Sequence, residues 1–197
     1  MVITWVFLAL IVVAFVWAIY AYNGLVNLKG QTLNAWKQID VQLKRRHDLV
    51  PNLVEAVRGA MEFERETLEA VIQARNQAVK IQADADPTSG VKQLAAAEAA
   101  LSGALSRLNV VVERYPELKA TGNVGQLQEE LTSTENRVAF ARQLYNDTAT
   151  TYNVRQQQIP WNLVAGFAKC EPVELWEIAD ERERAVPEVD LSMKPKQ

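Results

Sequence analysis

The sequence predicts an all-α protein, an N-terminal transmembrane helix followed by an antiparallel four-helix bundle of long helices. Three observations lead there. Val2 to Tyr22 is apolar and uncharged; the remainder repeats apolar residues every three to four positions; and eight glycines and seven prolines are few, with Pro87, Gly90, Pro116, Gly122 and Pro160 punctuating those periodic stretches. Spacing of three and four lines one face of a helix, whereas sandwiches and barrels need short alternating strands with frequent turns.

The uncharged run can cross a hydrocarbon core, which takes about 20 residues. Trp5 near one end, and Trp17, Tyr20 and Tyr22 near the other, suit the two interfaces. The run is not preceded by the basic residues that open a signal peptide, and no cysteine closes it, as a lipoprotein needs. Residues 1–23 are therefore expected to be an uncleaved anchor. Lys29, Lys37, Lys44, Arg45 and Arg46 follow it, so the positive-inside rule places the large domain in the cytoplasm.

Residues 24–177 form the expected bundle. Its first helix leaves the membrane with Leu25, Leu28, Trp36, Ile39 and Leu43 on one side. Pro51 lacks an amide hydrogen and disfavours helical geometry at Val50, so a break or kink is expected there, with a second helix running from Pro51 to Ala83. The alternative is a single bent rod through Pro51, giving three helices. Pro87 and Gly90 separate the second helix from a third, Val91 to Tyr115, which Asp86 or Ser89 would cap. A fourth helix is expected from Val124 to Gln158. Beyond it, Trp161, Leu163, Phe167, Val173 and Trp176 are too apolar to stay in water and are expected to dock on the bundle, the membrane headgroup surface being the alternative. Residues 178–197, charged and containing Pro187 and Pro195, read as a disordered tail.

The pattern resembles the LemA family of bacterial membrane proteins. The matching segments are Tyr22 to Val26, Ala35-Trp36, Ile39 to Arg46, Asp48 to Glu55, Glu66 to Glu69 and Ala74-Arg75. Further on come Tyr115 to Lys119, Leu127 to Leu131, Glu135 to Arg137, Ala141-Arg142 and Tyr145-Asn146. His47 stands where the family usually has tyrosine, and Ile159 where it has phenylalanine. The resemblance implies a single-pass protein of the bacterial cell membrane with a long-helix bundle. It implies no catalytic residue and no cofactor.

The residues themselves point away from several chemistries. A net charge of -3 does not suit general nucleic-acid binding. One histidine, one cysteine and no glycine-framed serine leave no nucleophilic triad, and no glycine-rich loop forms a nucleotide site. Glu64, Glu98 and Glu135 interrupt the apolar stripes, with Arg75 and Arg142 at comparable positions. A di-metal centre would need Glu-x-x-His pairs that one histidine cannot supply, so these five residues read as a polar network that sets helix register.

Lys44, Arg45 and Arg46 form a basic cluster roughly 35 Å beyond the membrane end of the helix, at 1.5 Å per residue. That is beyond the reach of lipid headgroups and suits partner contact or a solvated cap. His47 beside them reads as a surface histidine at a helix end. The expected function is that of a non-enzymatic scaffold or interaction module, binding other proteins or copies of itself, with no small-molecule substrate. The alternative is a lipid-surface or membrane-shaping module that uses Trp161, Phe167 and Trp176. A metal-dependent enzyme ranks third.

Overall fold

The computed structural model describes residues 1–59, 64–116 and 122–177. The described residues form helices and no strand: α1 (Val2–Arg58), α2 (Arg65–Asp84), α3 (Val91–Val112), α4 (Gly122–Gln157) and the short α5 (Trp161–Phe167). The expected tail, 178–197, lies outside the described residues.

α1 is a single helix of 57 residues that passes through Pro51, which corrects the break expected there. The second helix accordingly begins at Arg65, not Pro51. A proline inside a helix deletes the amide that would bond the carbonyl four residues earlier, here that of His47. Arg75 on α2 replaces the missing donor, its Nε lying 3.1 Å from the His47 carbonyl oxygen. With that carbonyl satisfied and Val50, Leu53, Val54 and Val57 all buried, continuing the helix buries an apolar face that a break would expose.

α1 packs along α4, and α2 along both α1 and α3. Trp36 meets Tyr145, and Arg45 lies 3.9 Å from Glu130, so α4 runs antiparallel to α1. Gln82 bonds Asp40 and Arg75 bonds His47, so α2 does the same. All four long helices contribute to a far cluster that includes Leu53, Val71, Leu101, Leu108, Val112 and Val124. A nearer cluster joins Ile39, Leu43, Leu94, Val138, Tyr145 and Trp176.

The N-terminal part of α1 is long and apolar enough to cross a membrane, and none of its most apolar window is buried against the rest of the chain. α4 brings the chain back to it. The ring of Trp161 at the start of α5 sits 6.4 Å from that of Trp17 and 6.1 Å from that of Tyr20. Gly24 permits this approach, since a Cβ there would stand 2.8 Å from the Trp161 ring.

After α5 the chain becomes an extended strap over α4, held by two asparagines. Asn153 donates to the Val173 carbonyl at 2.8 Å and accepts from the Val173 amide at 3.0 Å. Asn146 does the same for Trp176, at 2.9 and 2.8 Å. The two registers match: seven helical residues rise about 10.5 Å and three extended residues about 10 Å. Between them, the Glu174 carboxylate accepts the Val91 amide at 3.0 Å, satisfying an end of α3 that has Gly90 and no side-chain cap of its own. This corrects the expectation that Asp86 or Ser89 caps α3. Asp86 instead accepts the amides of Thr88 and Ser89 at 2.7 and 3.1 Å. The side-chain bond from Thr88 first, and then these amide bonds, lower its pKa, with burial opposing them.

Candidate buried charge cluster and cleft

α1 carries Arg46 and His47 on the stripe that also holds Ile39, Leu43 and Val50, and both are buried. This overturns two expectations, that Arg46 belongs to a solvated or partner-facing cap and that His47 lies at the surface. Both side chains converge on Glu98 of α3, which is fully buried. His47 Nε2 lies 2.6 Å from Glu98 Oε1, and the Arg46 guanidinium donates to Glu98 Oε2 at 3.2 Å. Arg46 also donates to Ser102 Oγ at 2.8 Å and pairs at 3.6 Å with Glu135 of α4, whose side chain is largely in solvent. One arginine therefore ties α1 to both α3 and α4.

Burying such charges costs several kcal/mol per ion, and only good pairing offsets it. Glu98 has a partner on each oxygen, and Arg46 faces two carboxylates and a hydroxyl. Ser102 accepts from Arg46 and makes no bond to His47, so the cluster holds no hydroxyl–imidazole pair of the kind that activates a nucleophile. Among the described residues no group of three histidine, cysteine or acidic side chains is placed to hold a metal ion. Chemically, the cluster is a clamp.

The residues expected to form one register-setting network fall in separate places. Glu98 and Glu135 meet on Arg46, while Arg75 serves the His47 carbonyl. Glu64 pairs at 3.5 Å with Arg114, linking the start of α2 to the end of α3. The Arg142 guanidinium lies 4.7 Å from the centre of the Trp176 ring. The basic cluster also divides: Lys44 and Arg45 are exposed, and only Arg46 turns inward. The apolar segment docks in part. Val173 and Trp176 are buried and Trp161 partly so, whereas Phe167 is 93% exposed and Leu163 63%. α5 is two turns long and has one covered side, which is taken by Trp161, Val164 and Ala165.

Above Arg46, α3 and α4 part to leave an open cleft of about 590 Å³. α3 lines it with small side chains, among them Ala99, Ser102, Gly103 and Ser106, and α4 with Gln128, Thr132 and Glu135. A Cβ added at Gly103 would meet nothing within 4 Å.

The family model for the LemA family matches residues 35–191, a span that takes in the clamp, the cleft and the strap. The chain belongs to the LemA family. It is similar to the magnetosome protein MamQ 1 of Paramagnetospirillum magneticum, 27% identical over 172 residues, 76% of this chain and 63% of that protein. MamQ of Magnetospirillum gryphiswaldense is 24% identical with the same coverage. Protein LemA of Metamycoplasma hominis is 28% identical over 86% of this chain and 72% of its own length. The chain thus spans less than two thirds of the MamQ relatives.

The sequence held an unused signal for the clamp. Arg46 and His47 follow Leu43 by three and four residues and precede Val50 by four and three, so the apolar stripe itself carries them inward. Asn146 and Asn153 each follow a buried tyrosine, but nothing local shows that the chain returns to them.

Proposed function

We propose that this LemA-family chain is a non-enzymatic scaffold: an antiparallel four-helix bundle on a membrane anchor, which associates with further copies of itself through the α3–α4 cleft. The cleft carries the reading. Five of the seven α3 residues that line it, Ala95, Ala99, Ser102, Gly103 and Ser106, are small and let another helix approach closely, and Gly103 faces open space. Glu135, whose side chain is largely in solvent at the edge of the cleft, supplies a charge that helps fix the register of whatever enters. The clamp supports the same reading, since it is paired within the chain and presents no reactive group. Anchoring in a membrane would raise the local concentration and favour a weak interface. The test is whether the subunit count of the full-length protein in gentle detergent falls when Gly103→Trp fills the cleft.

A further inference from the structure

α5 carries a second exposed apolar surface, away from the cleft. Leu163 and Phe167 are spaced four apart on α5 and share one side, 63% and 93% exposed, and Ile159 in the turn just before the helix is 84% exposed. The opposite side is occupied by Trp161, Val164 and Ala165, which are partly or fully buried. Three large exposed apolar groups within nine residues call for a partner.

The fold says at what height these groups lie. The uncharged run from Val2 to Tyr22 is about 32 Å long at 1.5 Å per residue, against a hydrocarbon core of about 30 Å. Tyr20 therefore stands near its boundary and Trp17 about 7.5 Å inside the Tyr22 end, and Trp161 packs against both. α4 runs antiparallel to α1, so its end and all of α5 form the end of the domain nearest the apolar run. The Arg155 guanidinium lies 4.9 Å from the centre of the Trp161 ring, and Lys169 follows α5. Cations beside exposed apolar groups suit the headgroup region of an anionic bilayer.

We propose that α5 and the turn before it form an interfacial foot, which buries Ile159, Leu163 and Phe167 among the lipids beside the anchor and fixes the tilt of the domain on the membrane. The inference rests on the reading that the start of α1 spans a bilayer, and it does not depend on the cleft. The foot binds a lipid surface and not a second protein, because its height is set by continuity with the membrane-spanning run.

The test uses full-length protein carrying Cys170→Ser, reconstituted in vesicles of phosphatidylcholine and phosphatidylglycerol. An environment-sensitive fluorophore is placed in turn at Leu163→Cys, Phe167→Cys, Val12→Cys and Lys92→Cys. The foot predicts that the two α5 sites emit at shorter wavelength than Lys92→Cys. They should also lose intensity to lipids brominated near the headgroup end of the acyl chain, with Val12→Cys reporting greater depth. If the α5 sites match Lys92→Cys while Val12→Cys reports lipid, the foot is wrong and the anchor stands. If Val12→Cys also reports water, the anchor fails and the foot with it.

Discussion

Arg75 Nε sits 3.1 Å from the His47 carbonyl oxygen, the acceptor that Pro51 leaves without its helical donor. A proline within a helix costs about 3 kcal/mol, part of it for the orphaned carbonyl. A side chain from the neighbouring helix here removes that part, so proline and arginine are coupled across 24 residues. Replacing Arg75 by leucine should destabilise the domain by about 1–3 kcal/mol, the cost of an unsatisfied buried polar group. Pro51→Ala restores the local donor, so Arg75→Leu should cost clearly less in that background. Equal costs in a double-mutant cycle of denaturant unfolding would show the bond to be incidental.

The clamp makes a prediction of opposite character. Glu98→Ala leaves Arg46 buried with no partner but Glu135 and Ser102, and should cost about 3–5 kcal/mol. Replacing Arg46, His47 and Glu98 together by apolar residues of similar volume should cost far less, because it removes the burial penalty along with the attraction. Thermal unfolding of the single and triple variants distinguishes the two. A triple variant weaker than the single one would show that the cluster contributes more than charge balance.

Gly24 gives a case where sign, not size, is informative. Glycine to alanine inside a helix ordinarily stabilises by about 1 kcal/mol. Here the new methyl would stand 2.8 Å from a Trp161 ring already held by Trp17, Tyr20 and Arg155. Gly24→Ala should therefore lower the unfolding midpoint in the native background and raise it in Trp161→Ala. The same sign in both backgrounds would mean that α5 does not rest on α1.

Tyr152 ties the strap to pH. Burial of a hydroxyl that has no hydrogen-bond partner among the described residues comes first, with Cys170 beside it next, and pushes its pKa from 10 up to about 12. The folded state thus holds this proton more tightly than the unfolded state. Its contribution is complete below pH 10 and is lost as pH rises through about 12. Tyr152→Phe should flatten the fall in stability across that window, measured by denaturant unfolding at stepped pH. An unchanged slope would assign the alkaline loss elsewhere. Tyr145, also raised by burial first and by Glu174 and Asp86 next, should act in the same direction.

Helix content and the apolar stripes were legible because periodicity is a local property: Ile39, Leu43, Leu94, Leu101 and Tyr145 were all placed inward and are buried. The course of α1 past Pro51 was not, because the group that rescues it arrives from another helix. The same holds for α3, capped by Glu174 from 83 residues away, and for the strap, whose asparagines are polar residues on a helix until the chain returns to them. The place of Phe167, which is 93% exposed and does not dock on the bundle, was not legible for a related reason. Apolar character said that it leaves water, but not whether it goes to protein or to lipid.

The particle mass of the full-length protein in gentle detergent, beside that of Gly103→Trp, bears most directly on self-association through the α3–α4 cleft. The account predicts a discrete multiple of the chain mass for the native protein, falling toward one subunit in the variant while its helical signal is retained. A native protein that runs as a bare monomer, or a multimer indifferent to Gly103→Trp, would contradict it.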